Sequence, residues 1–144
     1  MKQNVANYAI ARFRPYADVG EFVNVGVALI CPEAKFSGYL LSSSDFPRIR
    51  AFFPEFDIRI FKSGLHSLGE RLEAALSSRG LGATVSFQEL VRPREGLFFF
   101  SEPSTVLCED PAAKLKELFE HYVQRPSAVA SPTAPVIETE ISVG

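Results

Sequence analysis

Two short stretches of the chain hold the residue types that do chemistry. The first runs Arg12-Phe13-Arg14 and then Gly20-Glu21-Phe22-Val23-Asn24. A carboxylate such as Glu21 can act as acid, base or metal ligand, with Arg12 and Asn24 positioning an anionic substrate. The structural alternative makes Glu21 a cross-strand ion-pair partner of Arg14 beside a turn, worth about 0.2–1 kcal/mol, and makes Asn24 a buried amide satisfied by a packed helix. One carboxylate with no histidine nearby in sequence is thin ground for acid–base work. The second stretch is Arg92-Pro93-Arg94, followed by Phe98, Phe99 and Phe100. Arginine's planar fork suits a phosphate, and the phenylalanines could stack on bases. The alternative is a solvated loop leading into a core strand, because consecutive strand residues point to opposite faces.

Other reactive residues are less suggestive. His66 falls on the polar side of its helix beside Glu70 and Glu73, and His121 lies near a helix C-terminus, where a cation interacts well with the dipole. Cys31 and Cys108 are the only cysteines, each in an apolar setting, so reduced core thiols are expected rather than a disulfide framework. Ser42-Ser43-Ser44 lacks the glycines of a nucleophile elbow. No Walker, Rossmann or zinc spacing occurs, and neither a metal nor a cofactor is expected.

These residues need elements to place them. Val5–Arg14 mixes alternation with Tyr, Ile and Phe and reads as a strand. Pro15 and Gly20 bracket a turn, and Glu21–Cys31 is a β-branched apolar run expected of a central strand covered on both faces. Pro32–Lys35 makes a second turn, and Phe36–Ser43 reads as a third strand. With Pro15–Gly20 as the hairpin loop, the register sets Arg14 against Glu21, Arg12 against Val23, Ile10 against Val25 and Tyr8 against Val27.

Ser44 or Asp45 caps a short helix through Phe53, stopped by Pro54. Asp57 caps a longer one, whose Ile58, Phe61, Leu65, Leu68, Leu72 and Leu76 share one face. Gly64 and Gly69 weaken it by about 1 kcal/mol each but admit a close neighbour, and Arg79–Gly82 ends it. Ala83–Val91 is read as extended, and Gly96–Phe100 as another short strand. Glu109-Asp110-Pro111 announces a helix start, an acidic cap followed by proline, with Leu115, Leu118, Phe119 and Tyr122 as the apolar stripe. The fold class is therefore α+β: an antiparallel sheet, made of a meander of at least three N-terminal strands plus one or two later strands, packed on one face by two or three helices.

The 144 residues suit a single domain over residues 1–124. Residues 125–144 are rich in Pro, Ser, Ala and Thr and read as a disordered tail, whose Val136–Val143 alternation could add to a partner's sheet edge. A formal charge of −2 disfavours wrapping nucleic acid over the whole surface while leaving a local basic patch open. No signal-peptide pattern and no run of about 20 apolar residues is found, so a cytoplasmic, soluble protein with no membrane partner is expected.

Tyr8-x-x-x-Arg12-Phe13-x-Pro15 followed by Gly20-Glu21-Phe22-Val23-Asn24-Val25-Gly26-Val27 resembles the opening of the bacterial domain-of-unknown-function family numbered thirty thirty-seven. Ser101-Glu102-Pro103, Glu109–Leu115 and the ending Leu118-Phe119-x-x-Tyr122-Val123 fit the same resemblance, which covers Tyr8 to Val123. Relatives often read Pro-Arg-Ser and then polar residues where this chain has Arg92–Gly96 and three phenylalanines, so a ligand read by that loop would differ. The family brings no activity. Its genes are often reported beside one for a HipA-like kinase, which implies an accessory or antagonist role in a toxin–antitoxin or phage-defence module. The expected function is a non-enzymatic interaction protein binding a partner such as that kinase. The rivals are a nucleic-acid- or nucleotide-binding protein using Arg12, Arg14, Glu21, Arg92 and Arg94 in one cleft, and a small-molecule enzyme with Glu21 as base.

Overall fold

The computed structural model describes residues 2–44, 46–77, 81–94 and 96–124. The expected tail at 125–144, the Asp45 cap, Glu95 in the arginine loop and the Arg79-Gly80 stop lie outside these residues. In chain order the elements are β1 (Asn4–Phe13), β2 (Val23–Cys31), a 3-10 turn (Pro32–Ala34), β3 (Phe36–Leu41), α1 (Pro47–Phe52), α2 (Ile58–Ala75), α3 (Leu81–Val91), β4 (Phe98–Phe100), β5 (Ser104–Cys108) and α4 (Pro111–Tyr122). The fold is α+β with an open antiparallel sheet.

The sheet order is β3-β2-β1-β4, and β5 also pairs with β1. β4 covers Ala11–Phe13 and β5 covers Asn4–Tyr8, both along the edge of β1 that β2 leaves free. Between them Ser101 keeps the ladder intact: its N–H donates to the Ile10 carbonyl at 2.9 Å, and its hydroxyl accepts from the Ile10 N–H at 2.9 Å. Without that residue Ile10 would hold two unpaired backbone groups in the core, which is costly. β2 is interior, as its apolar run implied, but the strand that bonds to three others is β1.

The expected hairpin register is corrected in two ways. Strand β2 begins at Val23, so Glu21 and Phe22 precede it. Phe13 then pairs with Val23 and Arg12 with Asn24, but Ala11 pairs with Gly26 and Ile10 with Val27. Val25 is thus an extra residue, a β-bulge, and Tyr8 meets Leu29 rather than Val27. The carbonyl of Val25 is taken up by the Ser42 N–H at 2.8 Å, which extends the β2–β3 ladder past Leu41. Arg14 has no partner in Glu21; its backbone N–H donates to the Leu97 carbonyl at 2.7 Å. Gly20, at φ +85°, closes the loop, its N–H on the Tyr16 carbonyl.

Helices cover both faces, not the one face expected. On one, Phe13 is the hub of an aromatic cluster. Its ring centroid lies 4.8 Å from Phe61, 5.1 Å from Phe98, 5.3 Å from Phe56 and 5.8 Å from Phe53. Edge-on pairs at such distances add about 0.5–1.5 kcal/mol each beyond area burial. α2 presents Phe61, Leu65, Leu68 and Leu72 to this face, with Asp57 capping through the Arg59 N–H. Gly64 gives room for Phe98, whose Cε1 a Cβ there would meet at 2.5 Å. The short helix starts later than expected, at Pro47, and has no side-chain cap.

Ala83–Val91 is helical, not extended. Ala83, Phe87, Leu90 and Val91 are buried at spacings of four, three and one, while Val85 is 66% exposed. Strand propensity of Thr84 and Val85 yields here to a helical apolar stripe. On the opposite face lies α4, buried through Leu115, Leu118 and Phe119 and started by Asp110, whose carboxylate accepts from the Ala112 and Ala113 N–H groups. Such a cap contributes about 1 kcal/mol.

Gly26 and Gly69 provide a paired test of this packing. A Cβ on Gly26 would meet Leu41 Cδ2 at 2.5 Å and the Leu40 carbonyl oxygen at 2.8 Å, so Gly26→Ala is expected to destabilise by about 1–3 kcal/mol. A Cβ on Gly69 meets only Leu41 Cδ1 at 3.5 Å, so Gly69→Ala is expected to stabilise α2 by up to about 1 kcal/mol. Urea unfolding of the two variants checks both signs.

Candidate functional site

β1 projects Tyr8, Ile10 and Arg12 toward the α4 face, and Arg14 follows just beyond the strand. The register between the loop and the bulge sets Asn24 opposite Arg12. The Asn24 amide then joins three elements: its Oδ1 accepts from Arg12 Nε at 3.3 Å, and its Nδ2 donates to the Tyr122 carbonyl at 3.1 Å, at the end of α4. The Tyr122 hydroxyl in turn lies 3.4 Å from that of Tyr8. Asn24 therefore has the structural role of a satisfied amide, and it also fixes the position of the Arg12 guanidinium.

Two phenyl rings complete the arrangement. Phe99 pairs with Arg12 in the sheet and so shares its face. The Arg12 guanidinium carbon lies 4.3 Å from the Phe22 centroid and 6.0 Å from that of Phe99. Arg14 lies 4.2 Å over the other side of the cluster, on Phe99. The rings themselves are nearly perpendicular, with centroids 5.7 Å apart. Each cation thus rests against a π face, an interaction worth about 0.5–2 kcal/mol according to desolvation. Burial pulls the Arg12 pKa below its ordinary value, and Arg14 Nε is buried with no acceptor. No carboxylate among the described residues pairs with either arginine. Glu21 is exposed and makes no hydrogen bond or ion pair with them.

Arg92 and Arg94 are placed elsewhere, in the α2–α3 layer across the sheet. Arg92 Nη1 donates to Glu89 Oε2 at 3.1 Å, and Arg94 Nη2 donates to the Glu89 carbonyl at 3.2 Å. Arg94 also faces Arg71, whose pKa is lowered by burial first and by that neighbouring charge second. The phenylalanines do not serve this loop: Phe98 joins Phe13, and Phe99 joins Arg12 and Arg14. The proposed single cleft is therefore not assembled. The arginine pair and Asn24 are brought together; Arg92 and Arg94 are not. Phe22, Phe99 and Tyr122 are the members that sequence reasoning left out of the cluster, although period-two alternation through Phe98-Phe99-Phe100 was the available signal for one of them.

His66 is exposed and bonded to Glu70 at 3.4 Å, and no group of three metal-capable side chains occurs among the described residues. A shallow groove between β3 and α2 is lined by Tyr39, Ser42, His66 and Glu73, with the Tyr39 hydroxyl donating to Glu73 at 3.0 Å. Among the described residues no helix is long and apolar enough to cross a membrane.

A family model described as a protein of unknown function, DUF3037, matches residues 8–123. No curated protein and no solved structure matches the chain.

Two measurements follow from the geometry. Asn24→Ala is expected to cost about 1–3 kcal/mol, because Arg12 Nε and the Tyr122 carbonyl both lose a partner; Glu21→Gln is expected to stay within about 0.5 kcal/mol of wild type by denaturant unfolding. The second concerns alkaline pH. Burial, then the hydrogen bond to Glu73 and its charge, raises the Tyr39 pKa; the bond with Tyr8, then burial, raises that of Tyr122; burial and Cys31 raise that of Cys108. Each group keeps its proton in the folded chain at pH values where the unfolded chain has released it. The unfolding free energy is therefore expected to fall as pH rises above the ordinary cysteine and tyrosine values of 9.0 and 10.0, which thermal midpoints across pH 8–11 would record.

Proposed function

Because the chain belongs to the DUF3037 family, whose description carries no activity, we propose from its own surface that it is a partner-binding protein whose contact face is the Arg12, Arg14, Phe22 and Phe99 cluster. The observation that carries this reading is Phe22. It is 43% exposed, yet held edge-on to Phe99 with a guanidinium across its face. An exposed aromatic already fixed in place loses little conformational freedom on binding. Arginine and aromatic side chains are also the types that dominate protein interfaces, while peripheral contacts contribute little.

The partner class is the one the family resemblance implies, a HipA-like kinase, with the chain as its accessory or antagonist in a bacterial toxin–antitoxin or defence module. The nucleic-acid reading draws on the same Arg12 and Arg14, but a polyanion is favoured by a longer basic track, and Arg92 and Arg94 are bonded to Glu89 in the other layer.

Co-expression with a HipA-like kinase encoded in the same genome tests the proposal. A stable complex is expected, and Phe22→Ser is expected to weaken it at least tenfold, about 1.4 kcal/mol, with the free protein still folded and its thermal midpoint lowered by only a few degrees. A kinase that neither binds nor changes activity on addition of the chain would refute the partner; undiminished binding by Phe22→Ser would refute the surface.

A further inference from the structure

The surface cluster holds two positive charges that nothing in the described protein neutralises. Arg12 and Arg14 are two residues apart, project to one face of β1 and both flank Phe99. Stacking occupies the flat side of each guanidinium and leaves its N–H edge for a ligand. Arg12 uses Nε on Asn24, which orients the fork and leaves the terminal nitrogens available. Arg14 Nε is buried without an acceptor. A buried donor with no partner is uncommon, and it holds the Arg14 fork without neutralising its charge. A bound anion at the outer edges of the two forks neutralises both charges.

Resting on the partner-binding reading of this same face, we infer that Arg12 and Arg14 form a receptor for a single phosphoryl group, carried by a phosphorylated side chain of the partner. A phosphate monoester carries about −1.5 to −2 charge and three strong acceptor oxygens, matching two guanidinium edges; a carboxylate fills one fork and leaves the second charge uncompensated. A single group is favoured over a nucleic acid backbone, because the arginines of the loop after α3, Arg92 and Arg94, are paired with Glu89 across the sheet and the chain carries a net charge of −2. The exposed ring of Phe22 supplies an apolar flank for the peptide that bears the phosphate.

The test is a titration of the full chain, followed by NMR of the arginine Nε–H and phenylalanine ring signals. The probes are inorganic phosphate, O-phosphoserine, serine and a twelve-nucleotide single-stranded DNA, at constant ionic strength. Saturable shifts at Arg12, Arg14, Phe22 and Phe99 are expected with phosphate and phosphoserine, and none with serine. Affinity for O-phosphoserine is expected to rise between pH 5 and 7.5 as its phosphoryl group takes its second charge, near pH 6. Arg12→Gln and Arg14→Gln are expected to weaken binding at least tenfold, and Arg14→Lys, which keeps the charge, to weaken it less; the double variant Arg92→Gln, Arg94→Gln is expected to bind as wild type. Shifts centred on Arg92 and Arg94, affinity indifferent to Arg14→Gln, or DNA binding tighter than phosphoserine would each overturn the inference. Phosphate binding by a chain that captures no kinase would support the phosphoryl site and count only against the partner; a captured kinase with no phosphate bound at these arginines would overturn the phosphoryl site alone.

Discussion

The structure depends on satisfying both edges of one strand. β1 is ten residues long, most of its apolar side chains are buried, and its backbone is paired along both edges. β2 takes one edge; β4, Ser101 and β5 share the other. Because an unpaired buried peptide group costs as much as a lost hydrogen bond, this arrangement dictates where the later parts of the chain must return. The segment after α3 has to come back to Phe13, cross Ile10 and continue along Asn4–Tyr8. Only then is α4 delivered to the face where Arg12 and Tyr8 point.

The two faces of that strand have different chemical fates. Phe13 looks into a set of phenyl rings drawn from the α1–α2 turn, α2 and β4, and is fully buried. Its neighbours Arg12 and Arg14 look the other way, beyond the reach of the leucine stripe of α2, and meet rings of their own. Alternation along β1 thus divides the phenylalanines into a core group and a surface group. The surface group keeps its arginines partly dehydrated and oriented, which is the state in which a guanidinium discriminates best among oxyanions.

Much of this could be read from residue order. The acidic caps Asp57 and Asp110, the six-residue apolar stripe of α2 and the hairpin around Gly20 all appear where local chemistry places them. Other features are set by context that a linear pattern does not carry. A bulge at Val25 has no signature inside an apolar run, yet it moves every pairing beyond it, and the loop that ends only at Val23 decides that Asn24, not Val23, meets Arg12. Thr84-Val85-Ser86-Phe87 reads equally well at period two, and only the sheet beneath selects the helical alternative. The candidate site behaves likewise: Arg12 and Asn24 were legible as residues, but Tyr122 is 98 positions from Asn24 and comes into range only through β5 and α4.

The Asn24–Tyr122 bond has a practical consequence for handling the molecule. It ties the arginine–aromatic surface to the last turn of α4, so a peptide, fluorophore or affinity handle joined after Gln124 is introduced beside that surface. The start of β1 at Asn4 is eight residues from Arg12, about 26 Å along an extended strand. The amino end is thus the place from which the protein can be tethered with its arginine face left open.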